Sequence, residues 1–239
     1  MTGGGRVSHL CVMSVPKARR GVLVSIEGID GSGKTSLVLG LIRELCDRGK
    51  DVRVVTHPSR VGPVSEVLSR YLEKRCEIPA TAAHLLFLAD MHAKASEVER
   101  LVEGGTVVLM DRYVWSAMVY SLERLVSSPV SLSWLETPSV GLPRPDLTLL
   151  LSVPPSVAVE RVLSRGASVS RDDGLKSQTQ LAARFESMAA TTTDGSWVRL
   201  DATQSRMEVK LEALCHIEKA ANRVGNMPLA RLCAGWCKV

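Results

Sequence analysis

The stretch SIEGIDGSGKTSLV, Ser25 to Val38, contains the pattern GxxxxGK[ST] at Gly28-Ile29-Asp30-Gly31-Ser32-Gly33-Lys34-Thr35. It follows Val22 to Ile26, an apolar run with the length of a buried strand, and leads into Lys34 to Arg48, where Leu37, Leu41 and Leu45 recur on one helical face. A glycine turn between strand and helix is the context in which this pattern binds phosphates. Its glycines let successive backbone N–H groups face an anion, and the helix start adds partial positive charge. Lys34 reaches the outer phosphates and Thr35 can ligate magnesium. The reading is therefore a nucleoside triphosphate cradle of Gly28, Gly31, Ser32, Gly33, Lys34, Thr35 and Ser36, with Mg2+ accompanying ATP or GTP.

Outward from this loop, short apolar runs alternate with stretches of helical period, the pattern of a parallel sheet covered by helices. Val52 to Val55 reads as a second strand, Val64 to Lys74 as a short helix, and Pro79 as the start of a long helix ending at Glu103 before Gly104-Gly105. TVVLM (106–110) is a third strand with Asp111-Arg112-Tyr113 directly at its carboxyl end, where open parallel sheets place ligands. Helix resumes from about Trp115. LTLLLSV is a fourth strand, with a helix from Pro155 to about Ser164; another helix passes through Phe185 and Met188, WVRL (197–200) is a fifth strand, and a helix spans 205–222. The polar, glycine-punctuated segment 165–177 reads as a mobile lid. The expectation is an α/β fold, a five-stranded parallel sheet with helices on both faces and a short lid. Residues 1–20 form a flexible tail and 21–239 a single domain.

With 239 residues, 45% of them hydrophobic and 23% charged, the chain can bury one full core. The net charge of +5 permits nucleic-acid binding, but no basic tract is long enough to form an arm, so an enzyme handling phosphorylated anions is the better reading. The six cysteines show neither CxxC pairs nor zinc spacing and read as reduced thiols. No apolar run has the length of a membrane span and no signal-peptide core precedes a cleavage site. A cytoplasmic location is expected, with nucleus or mitochondrion open because residues 1–20 are basic, as a weak targeting segment or a disordered tail would be.

A phosphate loop alone does not separate ATPase, GTPase and kinase. No NKxD element is present to read guanine, and the chain is short for a motor or repair ATPase, which leaves a small kinase. Such an enzyme needs a second anion site facing the loop, and Arg60 and Arg112, each expected at a strand's carboxyl end, can form it as a bidentate clamp.

EGIDGSGKT, DRY with Ser116 and Tyr120 behind it, VGLPRPDL, the run HLLF at 84–87 and the closing MPLARLCAGW together resemble the thymidylate kinase family over about residues 20–236. The resemblance implies transfer from MgATP to dTMP, giving dTDP. It implies that Asp30 meets the acceptor's 3′-hydroxyl, that Arg60 and Arg112 clamp its phosphate, and that Asp111 lies near the reacting phosphates and magnesium. By the same resemblance Phe87 stacks on the base, Tyr120 underlies the deoxyribose, and the protein is a homodimer. Members with glycine at the position of Gly31 draw the transition-state cation from the lid, which implies Arg171, with Arg165 and Lys176 behind it. Without the resemblance, Phe87 and Tyr120 read equally as core residues and Asp111 as a helix cap.

Two positions depart from the family pattern. Ser59 stands before Arg60 where an acid is usual, and Met91 stands where an arginine commonly hydrogen-bonds the base; His92 is a substitute donor to consider. The expected outcome is preference for dTMP with dUMP or another deoxynucleotide tolerated. Competing readings are a broader nucleoside monophosphate kinase and a degenerate nucleotide-binding module.

Overall fold

Val, Leu and Ile dominate the central strands because each of these lies between two helical layers and has no solvent face. A computed structural model describes residues 19–165, 172, 174–192 and 194–237. In chain order the elements are β1 (Leu23–Glu27), α1 (Lys34–Asp47), β2 (Val52–Thr56), α2 (Pro63–Leu72), α3 (Ala80–Glu103), β3 (Val107–Asp111) and α4 (Val114–Arg124). There follow α5 (Leu132–Glu136), a 3-10 turn (Thr137–Ser139), β4 (Leu147–Ser152), α6 (Pro155–Leu163), α7 (Leu175–Thr191), β5 (Trp197–Asp201) and α8 (Arg206–Val224).

All five strands are parallel, in the order β2-β3-β1-β4-β5. Central β1 is buried along its whole length, whereas edge strands β2 and β5 are partly exposed. α1 and α8 pack on each other and on the sheet; α3, α4 and α7 form the second helical group. Leu37, Leu41 and Leu45 are buried as their spacing requires, and a capping box between Ser205 and Glu208 starts α8. After β1 the chain runs to one side for β2 and β3, then crosses to the other for β4, so the carboxyl ends of β1 and β3 open at the switch point where such sheets hold ligands.

Three details differ from the sequence reading. Arg20, assigned to the tail, is built into the fold: its guanidinium grips Asp146 at 2.7 and 2.8 Å and its Nε donates to the Met227 carbonyl at 2.6 Å. α7 begins at Leu175, inside the expected lid, and residues 166–171 and 173 of that lid lie outside the described residues. The short α5 has no long apolar period to announce it; Ser131 caps it by accepting from the Trp134 N–H. Residues 1–18 of the expected tail are likewise outside the described set.

Candidate active site

Between β1 and α1 the chain turns through Gly28, Gly31 and Gly33 at φ of 141°, 82° and 104°. Gly31 is confined from outside: a Cβ there would lie 2.1 Å from the Ala158 carbonyl oxygen of α6. A larger residue at this position therefore collides with backbone, so position 31 has no room for a cationic side chain. α1 starts without a side-chain cap, leaving its first N–H groups for an anion. Ser32 Oγ is buried without a hydrogen-bond partner among the described residues. Lys34 is buried, and its Nζ donates to the carbonyls of Gly28 at 3.0 Å and Ile29 at 2.8 Å. Burial, with Arg112 nearby, brings its pKa down to about 8.

Directly after β3, Arg112 adopts φ of 67°, a left-handed conformation costly for a residue with a side chain, while its N–H donates to Ile26 O at 3.1 Å. The turn sends the guanidinium back over the phosphate loop. Its Nη1 donates to Gly28 O and to Ser116 Oγ, each at 3.3 Å, and Nη2 pairs with Asp30. Tyr120 Oη donates to Asp30 at 3.0 Å, and its ring lies under Arg112 with 5.3 Å from Cζ to the centroid. Burial opposes both charges, but mutual attraction prevails: Asp30 is held below the ordinary carboxyl range and Arg112 above its ordinary value. Beneath them Glu27, fully buried, accepts from Ser25 Oγ at 2.9 Å, Ser116 Oγ at 2.5 Å and the Tyr113 N–H at 2.9 Å. Burial raises its pKa, partly offset by the two serine hydroxyls.

These residues open on a cavity of about 180 Å³ that also takes in His57, Phe87, Met91 and Arg124. A second cavity, about 630 Å³, lies on the other side of the loop against Ser32, Gly33 and Ser36 and is bordered by Arg165. The structure thus gathers Asp30, Arg112, Ser116, Tyr120 and Phe87 around one cavity, with Ser32, Gly33 and Ser36 along the other. Thr35 and Ser36 are exposed at the first turn of α1, and Asp111 ends β3, close enough to act electrostatically on Lys34 and Arg112. Arg60 stands exposed ahead of α2 and does not line the smaller cavity. Lys176 is exposed on α7, and Arg171 lies outside the described residues. His92 is engaged elsewhere, its Nε2 donating to Pro138 O at 2.8 Å.

Sequence reasoning missed four features. Glu27, an acid at the end of an all-buried strand, was the one with a visible signal. Arg124, lying over the Tyr71 and Tyr120 rings, pairs with Asp172 of the expected lid. Gln178 links the lid to the loop: its Nε2 donates to Asp172 O at 2.6 Å and its Oε1 accepts the Asp30 N–H at 3.1 Å. Asp90, on α3, ties down the residue that stands where an acid is usual, accepting from Ser59 Oγ at 2.5 Å, the Ser59 N–H at 2.9 Å and His57 Nδ1 at 2.7 Å.

Among the described residues no group of three or more His, Cys, Asp or Glu could enclose a metal ion. Thr35 and Asp111 offer one hydroxyl and one carboxylate, hard oxygen donors of the number that magnesium takes from a protein when phosphates and water supply the rest.

A buried loop lysine and a paired arginine–aspartate set meeting at the switch point of a parallel sheet define a phosphate-loop phosphotransferase. Residues 26–213 match the family model described as Thymidylate kinase, and the chain belongs to the thymidylate kinase family. It is 30% identical to thymidylate kinase of Danio rerio over 80% of this chain and 87% of that one. Identity to the Homo sapiens thymidylate kinase is 28%, over 90% of this chain and 98% of that one. Among solved structures, thymidylate kinase from Candida albicans, described as having broad substrate specificity and a novel structural element, superposes with a TM-score of 0.78 at 26% identity, covering 90% of this chain and all (100%) of that one.

Proposed function

We propose that the protein transfers the γ-phosphoryl group of ATP to dTMP, giving ADP and dTDP for dTTP synthesis. The observation that carries this reading is the Gly28 carbonyl, which accepts from Lys34 Nζ at 3.0 Å and from Arg112 Nη1 at 3.3 Å. The cation of the donor cradle and the cation of the smaller cavity converge on one peptide, which supports transfer between an anion on each side of the loop with positive charge between them.

In this reading Lys34 and the loop N–H groups hold the outer phosphates of ATP, while Arg112 receives the acceptor phosphate, with Arg60 closing from the rim. Asp30 and Tyr120 address the sugar, Ser116 steadies Arg112, and Phe87 stacks on the base. Arg171 brings the remaining positive charge on lid closure, since Gly31 leaves no room for it in the loop. Thr35 and Asp111 would hold Mg2+, which shields the triphosphate oxygens when bound. The acceptor phosphate is already nucleophilic, so no covalent intermediate and no strong general base are needed. Met91 is buried and carries no hydrogen-bond donor for a base, which supports tolerance of dUMP or another deoxynucleotide; the Candida albicans relative sets a precedent for breadth. Exposed Val61, Val67 and Leu85 beside α2 and α3 support a homodimer. Among the described residues no helix is long and apolar enough to cross a membrane.

ADP formation from MgATP with dTMP, dUMP, dGMP, dCMP, UMP and AMP at matched concentrations tests the reading. dTMP is expected to lead with dUMP next; indifference to dTMP would overturn it. Lys34→Ala should lower turnover by at least about 10²–10³-fold with an unchanged circular dichroism spectrum, and normal turnover would refute the phosphate-loop role.

A further inference from the structure

His57 follows β2 and is almost completely buried, yet it borders the smaller cavity beside Phe87 and Met91. Its ring is fixed at one nitrogen only. Nδ1 lies 2.7 Å from the Asp90 carboxylate, while Nε2 is buried without a hydrogen-bond partner among the described residues. Burial works against charge on Asp90, but the hydrogen bonds from His57 and Ser59 outweigh it and keep the carboxyl below its ordinary range. An ionised Asp90 can only accept, so in the neutral imidazole Nδ1 carries the hydrogen and Nε2 carries a lone pair. A buried acceptor left unpaired is costly, and in a ligand cavity that cost is recovered when a ligand supplies the donor.

Phe87 and Met91 lie one turn apart on the same face of α3, and Asp90 sits between them in the sequence. One helix therefore supplies a ring for stacking, an apolar wall and the carboxylate that orients His57. We propose that His57 Nε2 accepts the ring N–H of the acceptor base, taking over base reading at a site where Met91 cannot, with Asp90 as its positioning residue. The chemistry selects a pyrimidine of thymine or uracil type, whose N3 bears hydrogen. Cytosine presents an acceptor at N3 and would set lone pair against lone pair. The inference rests on the dTMP reading and assigns its base selectivity to a particular atom.

The test uses the full chain, His57→Asn, and two acceptors: dTMP and its 3-deaza analogue, a 4-hydroxy-2-pyridone of nearly the same size in which C–H replaces N3–H and whose altered 4-oxygen meets wild type and variant alike. The asparagine amide can still donate to Asp90 but has nothing at the Nε2 position. Wild type should prefer dTMP to the analogue in kcat/KM on the order of tenfold, mostly through KM. His57→Asn should bring that ratio close to one and raise dCMP use relative to dTMP, with the KM for ATP unchanged. Because each enzyme is compared with itself on two acceptors, partial loss of folded protein cancels. His57→Phe, which keeps the ring volume, is read by the same ratio should the asparagine variant not accumulate. A ratio near one in wild type, or an equal ratio in wild type and variant, overturns the His57 assignment while leaving dTMP kinase activity intact. Failure of wild type to use dTMP at all would overturn the proposed function and this inference with it.

Discussion

Replacing Gly31 by alanine should damage both stability and ATP binding. At φ of 82° the backbone is left-handed, a conformation that costs an alanine about 1–3 kcal/mol. The added Cβ would also lie 2.1 Å from the Ala158 oxygen, 2.8 Å from its carbonyl carbon and 3.0 Å from its Cα. These are backbone atoms of α6, so no rotamer change relieves them, and overpacking of this kind costs a further ~1–3 kcal/mol. The combined penalty is about 2–6 kcal/mol, which in a domain of this size lowers Tm by at least about 4 °C. If the loop instead withdraws from α6, part of the penalty appears as a higher KM for ATP. Calorimetric melting with and without ATP, together with initial rates of ADP formation, separates the two. A variant with unchanged Tm and unchanged KM would show that Gly31 is not confined as described. Gly31→Arg begins with the same Cβ and should fare no better, so position 31 cannot hold a cationic side chain in this loop.

Two further outcomes follow from buried charges. The Lys34 pKa of about 8 reflects burial and the nearby Arg112, and a bound triphosphate favours the charged ammonium. ATP affinity should therefore be flat at lower pH and weaken as pH rises past about 8, by up to about tenfold per unit; an equilibrium Kd that stays constant to about pH 9.5 would contradict this. Asp146→Asn breaks an ion pair whose two side chains are each only 9% exposed, and weakens the carboxylate that also accepts the Leu23 N–H at 2.9 Å. Urea unfolding should show a loss of about 3–5 kcal/mol, and a loss below about 1 kcal/mol would mean that the pair behaves as a solvated surface contact.

Much of the fold was legible because its signals are local. A glycine pattern between an apolar run and a helical period predicts the loop from nearest neighbours alone, and near-continuous Val and Leu runs predict strands buried on both faces. Arg112 was legible for a related reason: it follows β3 directly, and a residue at that end of a parallel strand faces the crevice. Arg60 carried the same expectation, but three residues separate it from the end of β2 at Thr56, and it stands exposed ahead of α2. The absence of an acid at Ser59 and of an arginine at Met91 read as gaps in the pocket. In the folded chain a carboxylate is present beside the first, supplied by Asp90, which reaches across from α3 to Ser59 and His57.

The sequence by itself determined the strands, the phosphate loop and the side chains that border the donor cradle, since each rests on covalent order within about a dozen residues; the kinase class followed from motifs spread along the whole chain. Only the tertiary structure decided what the remaining polar groups do. Gln178 meets Asp30 across a separation of 148 residues, Arg124 meets Asp172 across 48, and His57 meets Asp90 across 33. No local periodicity or motif encodes such meetings, because they depend on which helix faces come together once the sheet is assembled. Burial then turns those meetings into chemistry by moving the pKa of Lys34 and Glu27, while hydrogen bonds hold that of Asp90 down, and His57 Nε2 is left with no protein partner among the described residues.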